Sequence, residues 1–371
     1  MIIPKLKRNI KRIIPFGFIW LMFGLIFLFI EHSATKDFDY TVNGVIKLDY
    51  RVVLFALPVV TIVGLIIGII ELLFINRLFS KNSFLFKIIG KLIIYSLFLF
   101  IIICFTYPVA ASIELKTNIF DKKVWSKFTE FLNSISFLST SFQMTVSLIF
   151  ALFYNEISEK VGSNAFLNFI VGKYHKPKLE SRIFMFLDMK SSTTIAEKIG
   201  HLEYFNLLKD YYNIISDAVI NYSGEIYQYV GDEMVVSWKT SNSKTDNNCI
   251  HCFFKMKHDL QKQKKKFIDK FNEHPTFKAG IHFGEVTTGE IGKIKKDIVF
   301  TGDTLNTTAR IQSLCNEFSA DLLISENLLN ILDLDTDFSA IFLVNQKLRG
   351  KEKSIDLYTI EKKPVANKEL S

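Results

Sequence analysis

Four long apolar segments occupy the first 155 residues of the chain. They run over about 13–30, 52–75, 92–113 and 131–154. Each is close to the ~20 residues that a helix needs to cross the hydrocarbon core of a bilayer. The fourth is rich in Ser and Thr, which suits a helix packed against others, although a soluble amphipathic helix is the alternative for it. The pattern predicts a membrane domain over 1–154 with four transmembrane helices.

The segment 155–179 joins this region to the rest of the chain. Apolar residues recur in it at helical spacing from Ile157 to Ile170. Proline is poorly tolerated inside a helix, so Pro177 marks a stop. We therefore expect a helical linker that continues out of the membrane and ends before Pro177.

From residue 180 onward, short strands alternate with helices. A hairpin is expected around Gly231 and Asp232, between the strands Glu225–Val230 and Met234–Trp238. Helices are expected over Ser191–Tyr222, Asn247–Phe271 and Thr304–Cys315. Further strands are expected over Arg182–Asp188, Phe277–Thr288, Ile298–Thr301, Leu322–Ser325, Ala340–Gln346 and Ile355–Ile360. The pattern predicts an α+β domain over 180–362, followed by a tail over 363–371.

Charge is distributed unevenly between these two regions. The chain has a net charge of +8 and a pI near 9.0. Residues 1–155 hold 16 Lys and Arg against 8 Asp and Glu, whereas residues 156–371 hold 29 of each. The basic excess therefore belongs to the membrane region and argues against a nucleic-acid partner.

The positive charges also predict an orientation. They are concentrated before the first apolar segment and in the 76–91 loop, which places both on the cytoplasmic side. Four crossings then return the chain to the cytoplasm, as a multi-pass protein of the cell (plasma or inner) membrane. Glu71 is expected near a cytoplasmic helix end, where it reaches the interface.

The four cysteines do not predict a metal site. Cys249 and Cys252 flank His251, which could form half of a zinc site, but no second Cys/His pair follows at zinc spacing. Ordinary reduced thiols are the expected state.

Two carboxylates stand at the ends of predicted strands. Asp188 closes the strand Arg182–Asp188, and Asp232 lies in the hairpin turn. If these strands share a sheet, both acids come to one edge, beside the N-terminus of the helix that begins near Ser191. Such an arrangement suits hard divalent cations and a polyphosphate. A salt-bridged surface pair is the alternative.

Three motifs together resemble the catalytic domain of the class III adenylate and guanylate cyclases, of the membrane-bound bacterial type. They are Phe186–Thr193, Tyr229–Glu233 and Gly302–Arg310, and the similarity covers about residues 180–362. The resemblance implies a ferredoxin-like α+β fold that pairs head to tail, so that each site is shared between two chains of a homodimer. It also implies conversion of ATP to cyclic AMP and pyrophosphate. The hairpin alone is also similar to that of the diguanylate cyclases, which lack the third motif.

The resemblance assigns roles to individual residues. Asp188 and Asp232, helped by the Met189 carbonyl, would hold two Mg²⁺ or Mn²⁺ ions. Asn306 would orient the ribose, and Arg310 would stabilise the α-phosphate in the transition state, both from the partner chain. Phosphate-binding groups would be the backbone amides of Lys190, Ser191, Ser192 and Thr193, together with the Arg349 side chain.

Two positions depart from the family pattern. The base-recognition positions carry Gln228 and Val299 instead of the usual pairs. A Gln amide both donates and accepts, so it fits adenine but also other bases. ATP is the expected substrate, with a guanylate or other nucleotide cyclase as the alternative. A catalytically inactive, cyclase-like receptor or dimerisation module is the further alternative.

Overall fold

The computed structural model describes residues 4–36, 46–79, 82–162, 166, 168, 171–240, 246–334, 337–350 and 353–363. The chain divides into two compact units, Leu6–Leu167 and Asn168–Ser371, and each is described by itself. The tail after residue 363 and the linker residues 163–165, 167, 169 and 170 lie outside the described residues.

The N-terminal unit is helical. Its helices are α1 (Pro4–Lys36), α2 (Tyr50–Ile70), α3 (Phe84–Leu115), α4 (Lys122–Leu132) and α5 (Ile135–Val161), and α2 continues through a π-helical turn, Glu71–Ile75, into Asn76–Leu78. Four stretches in the described residues are long and apolar enough to cross a membrane: Lys5–Ser33, Tyr50–Ile75, Phe84–Leu115 and Ile135–Val161. The four helices expected from hydropathy are therefore present.

Close packing between α1 and α2 depends on glycine. A Cβ added at Gly64 would lie 2.7 Å from Trp20, and one at Gly68 would lie 3.0 Å from the Phe16 ring. Both aromatic side chains are almost completely buried. Small residues let the backbones of two helices approach closely, so that van der Waals packing holds the helices together where hydrophobic burial contributes little.

Helix α4 lies mostly in the segment 114–130, for which the sequence predicts a loop. Its buried face includes Val124, Phe128 and Phe131. The Phe131 ring stacks on Tyr107 of α3 with centroids 4.1 Å apart. Packing against α3 stabilises this short helix, because 11 isolated residues are too few for a stable helix in water.

The structure corrects the expectation for Glu71. Its side chain does not reach an interface but is fully buried, and Lys91 is buried beside it. Lys91 is also not in a loop, since α3 begins at Phe84. The two charges neutralise each other inside the helix bundle, which is what makes their burial tolerable.

The structure also corrects the linker. Helix α5 ends at Val161, with Gly162 at a positive φ of 91° as its C-cap, and residues 171–176 form turns. A continuous helix to Pro177 is therefore wrong. Glycine ends helices at this position because it has no Cβ to clash in that conformation.

The C-terminal unit is a mixed sheet with helices, in agreement with the expected α+β class. Its strands are β1 (Lys178–Met189), β2 (Glu225–Val230), β3 (Glu233–Lys239), β4 (Phe277–Ile291), β5 (Asp297–Thr301), β6 (Leu322–Ser325), β7 (Phe338–Lys347) and β8 (Ser354–Lys362). Among the described residues their order is β2-β3-β1-β4-β6-β8-β7, and β5 pairs with β4. The pairs are antiparallel except β4 with β6.

The helices of this unit are α6 (Ser192–Ile199), α7 (His201–Asn221), α8 (Asn248–Lys262), α9 (Lys264–Phe271), α10 (Asp303–Ser313) and α11 (Glu326–Leu329). Two helices that the sequence predicted as continuous are broken. Gly200 has a φ of 80° and separates α6 from α7, and Gln263 separates α8 from α9.

Strand β1 is buried on both faces. Ile183, Met185 and Leu187 join the core formed with α7 and α8. Phe184 and Phe186 point to the other face, where α10 contributes Leu305 and Ala309. Burial on both sides explains why its segment 183–187 is continuously apolar up to Asp188.

Candidate active site

The structure brings the two predicted carboxylates together. Strand β1 pairs with β3 so that Asp188 stands opposite Glu233, and Asp232 lies in the adjoining turn. The Asp188 and Asp232 side chains lie close to each other, and burial together with this like-charged neighbour raises the pKa of Asp188. Two carboxylates in contact repel each other when both are ionised, so a bound cation is favoured between them.

A tyrosine from α7 fixes the turn that carries Asp232. The Tyr212 hydroxyl is 2.9 Å from the Gly231 carbonyl oxygen and 3.2 Å from the Glu233 carbonyl oxygen, to either of which it can donate. Its ring packs edge-on against Tyr229, with centroids 4.6 Å apart. Helix α7 therefore holds the turn that carries Asp232 in place.

Two further side chains contact Asp188 and were missed from the sequence. The Lys278 Nζ lies 3.6 Å from Asp188 Oδ2, and the Gln312 amide donates to the same oxygen at 3.4 Å. Lys278 is in register with Asp188 across β1 and β4. The available signal was a lysine among the apolar residues Phe277, Ala279 and Ile281 at the start of β4, but only the register shows which acid it faces.

Gln312 reaches Asp188 because α10 lies close to β4. A Cβ added at Gly280 would be 2.4 Å from the Gln312 backbone nitrogen. Only glycine allows this distance between strand and helix.

The predicted phosphate loop lies beside the acids, with one difference. Met189 ends β1, Ser191 has a φ of 56°, and α6 begins at Ser192. The Lys190 backbone N–H donates to the Thr276 carbonyl at 2.9 Å, so that amide is already engaged. The amides of Ser191, Ser192 and Thr193 stand at the helix N-terminus, where the first N–H groups have no intrahelical partner.

Helix α10 carries the third motif. Asn306 and Arg310 are four residues apart and so share a face of α10, with Asn306 exposed. The Arg310 guanidinium lies against Gly350, 3.5 Å from the position of an added Cβ, beside the exposed Arg349. Among the described residues, no hydrogen bond or ion pair joins Arg310 to Asp188. Arg310 therefore has no direct polar contact with Asp188 in the described part of the chain.

The two residues predicted to recognise the base lie on strands that do not pair with each other in the described part of the chain. Gln228 is on β2 and Val299 on β5, and their neighbours Tyr227 and Phe300 contact edge-on with ring centroids 4.8 Å apart. The Arg182 guanidinium covers the Phe300 ring at 4.5 Å. This contact fixes the spacing between the two strands.

The cysteines belong to the core. Cys249 and Cys252 are buried on α8, and burial raises the pKa of the Cys249 thiol to about 12. Within the described ranges, no group of three or more His, Cys, Asp or Glu side chains is placed to hold a metal ion. A cation at Asp188 and Asp232 would thus take its other ligands from backbone, phosphate or water oxygens.

The family model for the adenylate and guanylate cyclase catalytic domain matches residues 175–362. "Adenylate cyclase 2" of Rhizobium meliloti (strain 1021) is 31% identical over 235 residues, which are 63% of this chain and 64% of that protein. "Adenylate cyclase" of Anabaena cylindrica is 25% identical over 191 residues, 48% of this chain and 36% of that protein. The chain thus spans less than two thirds of either relative.

Among solved structures, a bacterial light-regulated adenylyl cyclase superposes with a TM-score of 0.52. The match is 18% identical and covers 62% of this chain and 66% of that one. At this identity the likeness concerns the fold alone.

Proposed function

Because the chain belongs to the adenylate and guanylate cyclase catalytic-domain family, we propose that it converts ATP to cyclic AMP and pyrophosphate. The observation that carries this proposal is the contact between Asp188 and Asp232 beside the open N-terminus of α6. Two oxygen-donor carboxylates and free amides suit a triphosphate with divalent cations.

The donor set fits two Mg²⁺ or Mn²⁺ ions held by Asp188, Asp232 and the Met189 carbonyl. When bound, such ions activate an attacking hydroxyl and offset the charge of a triphosphate. The amides of Ser191, Ser192 and Thr193 would orient the phosphates. The Lys278 ammonium group, 3.6 Å from Asp188 Oδ2, offsets part of the negative charge of Asp188 and Asp232.

The remaining groups act on the nucleotide from α10. Asn306 would hold the ribose, and Arg310 would donate two N–H groups to the α-phosphate oxygens as charge develops there. Arg349, on the neighbouring turn, would bind the outer phosphates. Gln228 would bind the base edge through its amide, next to the apolar wall of Val299.

We expect the two groups to meet in a homodimer with shared sites. Among the described residues no hydrogen bond or ion pair joins Arg310 to Asp188, and the family resemblance implies that a second copy arranged head to tail supplies one group to the other. Each dimer would then contain two equivalent sites.

Mixing variants tests this arrangement. Cells that make both Asp188→Ala and Arg310→Ala chains should form heterodimers with one intact site, giving about a quarter of wild-type activity by statistical pairing. The matched control mixes Asp188→Ala with Asp232→Ala, which damages both sites and should give no product. If the first mixture is as inactive as the control, the sites are not shared.

Substrate identity is tested with the purified full chain, Mn²⁺ and each of ATP, GTP, CTP and UTP. Cyclic AMP as the main product supports the proposal, whereas cyclic GMP or another cyclic nucleotide assigns a different base. A folded chain that forms no cyclic product from any of the four would be the inactive receptor-like module.

We also propose that the four apolar helices span the cell membrane, with the N-terminus and the cyclase domain in the cytoplasm. The basic residues at the start of α1 and around 76–91 support this orientation. A reporter that is active only in the cytoplasm, fused after residue 362, should be active. Activity only of a periplasmic or extracellular reporter at that position would reverse the orientation.

A further inference from the structure

Arg182 is a buried charged residue in the sheet of the C-terminal unit, and the proposed catalysis does not use it. Its side chain is 3% exposed and directly precedes the apolar segment 183–187 of β1. Its Nε donates to Glu180 Oε2 and its Nη1 donates to Glu225 Oε2, each at 3.0 Å. The same Nη1 lies 3.0 Å from the Ser237 hydroxyl oxygen. Charge-assisted hydrogen bonds in several directions hold the guanidinium group in one orientation.

The guanidinium group also lies over an aromatic ring. The Arg182 Cζ is 4.5 Å from the centre of the Phe300 ring. Phe300 contacts the Tyr227 ring edge-on at 4.8 Å, and its backbone N–H donates to the Tyr227 hydroxyl at 3.4 Å. Arginine, unlike lysine, offers a planar face for a ring together with separate N–H groups for carboxylates.

These contacts join the two strands that carry the predicted base-recognition residues. Glu225 begins β2, three residues before Gln228, and Phe300 directly follows Val299 on β5. In the sheet as the described residues form it, β2 pairs with β3 and β5 pairs with β4. Contacts made by side chains, and not a shared ladder, therefore hold β2 and β5 at their separation.

Strand β2 is irregular at this place. Its pairing with β3 shifts between Ile226 and Gln228, so that Tyr227 is the extra residue of a β-bulge. Bulges redirect neighbouring side chains and are common next to active sites. The direction of Gln228 therefore depends on how Tyr227 is held, and Tyr227 is held against Phe300.

Neutralising Glu180 does not require the whole arrangement. Glu180 also accepts from the Lys239 ammonium group at 2.8 Å and from the Thr288 hydroxyl at 3.3 Å. Its charge is thus compensated by a second cation. The contacts of Arg182 with β2 and β5 come in addition, and what they hold is the position of these two strands.

We propose that Arg182 is a positioning residue for base recognition. It holds β2 through Glu225 and β5 through the Phe300 ring. The separation of these strands sets how Gln228 and Val299 meet a base, and hence which base is accepted. Arg182 acts through its neighbours and not on the nucleotide. This inference rests on the proposed function and names a residue on which its choice of substrate depends.

Nucleotide binding to the full chain in lipid nanodiscs tests this role. The probes, each with Mn²⁺, are α,β-methylene-ATP and α,β-methylene-GTP, in which the bond that cyclisation would break is replaced, and inorganic triphosphate, which has no base. Phe300→Leu keeps an apolar side chain but removes the ring. The preference for one nucleotide over the other should fall by about tenfold, the size expected for a desolvated cation–π contact. The affinity for triphosphate should not change, because triphosphate does not use the base site.

Phe254→Leu is the matched control. Phe254 is half-buried like Phe300, and it also has two aromatic neighbours, Phe253 and Phe338, with ring centroids 5.3 and 5.2 Å away. It lies on α8 and should leave both the base preference and the affinity for triphosphate as in wild type. Equal losses in the two variants would indicate a general loss of packing and would contradict the proposal.

A second variant tests whether Arg182 and Phe300 act together. Arg182→Lys keeps a positive charge beside Glu180 but loses the planar group, so it should also lower the base preference. The double variant should be no worse than the more affected single variant, because both changes break one connection. Multiplied effects would refute the connection. If Arg182→Lys does not accumulate as folded protein, Tyr227→Phe, which removes the hydroxyl that accepts from the Phe300 N–H, replaces it in the same comparison.

Failure of this role and failure of the proposed function give different results. A wild-type chain that forms cyclic AMP and prefers one nucleotide, with the same preference in Phe300→Leu, would refute the positioning role alone. Equal affinity of wild type for the two nucleotides would also refute it. A folded wild-type chain that binds neither nucleotide and forms no cyclic product would refute the proposed function, and the positioning role with it.

Discussion

The close approach of α10 to β4 gives a quantitative prediction for Gly280→Ala. The new Cβ would lie 2.4 Å from the Gln312 nitrogen and 2.7 Å from its Cα. The ordinary van der Waals distance between a Cβ atom and a neighbouring heavy atom begins at 3.4 Å. The obstructing atoms are backbone and cannot rotate away, so α10 must move by about 1 Å.

This movement displaces the groups that α10 carries. Asn306 and Arg310 lie on the same helix as Gln312, and a 1 Å misplacement of positioning groups costs about 100-fold in rate. The overpacked variant should also lose about 1–3 kcal/mol of stability. We therefore expect Gly280→Ala to remain folded at low temperature, with cyclic AMP formation reduced by about two orders of magnitude.

Gly289→Ala is the matched control on the same strand. Its added Cβ would lie 3.5 Å from the nearest atoms, those of Pro177, which is an ordinary contact. Both variants remove one glycine, so their effects on the unfolded chain are similar. Initial rates with Mn²⁺-ATP and thermal unfolding would be measured for both. Equal turnover of the two variants at a temperature where both are folded would refute the reasoning.

Two further predictions concern charge in the cyclase domain. Burial would raise the pKa of Glu180, but hydrogen bonds from Lys239 and Arg182 lower it to about 2. This carboxylate therefore stabilises the fold above its unfolded pKa of about 4.3, and the contribution is lost as the pH falls towards 2. At pH 7, Glu180→Gln should lower the free energy of unfolding by about 2 kcal/mol, after allowance for solvent screening. Near pH 2, hydrogen–deuterium exchange of β1 should be equally protected in this variant and in wild type. Asp232→Asn removes the like charge beside Asp188, so it should raise the melting temperature of the metal-free protein while abolishing turnover. Added Mn²⁺ should stabilise wild type but not this variant, and equal stabilisation of both would contradict the metal assignment.

Much of the architecture follows from local patterns in the sequence. Runs of apolar residues are sufficient to indicate four long helices, because a helix satisfies its own backbone hydrogen bonds wherever it lies. The hairpin around Gly231 and Asp232 is equally local, since glycine supplies the positive φ that the turn requires. Asp188 could be recognised as a strand-end acid from the apolar run that precedes it.

Tertiary structure decided which of these residues meet. Lys278 and Gln312 contact Asp188 only because of the β1–β4 register and the space at Gly280, and neither is visible in a one-dimensional pattern. Likewise, hydropathy places Glu71 near a helix end, but whether a charge there reaches water or pairs with a partner depends on how distant helices pack.

The sequence by itself thus determined the elements and the identity of the chemical groups, because hydrophobic periodicity, turn chemistry and short motifs act over a few residues. The structure alone decided the partners of those groups, including the contact of Gln312 with Asp188 and the burial of Lys91 between two carboxylates. Those contacts join residues that are from 20 to more than 100 positions apart, where register and packing, not local preference, set the distance.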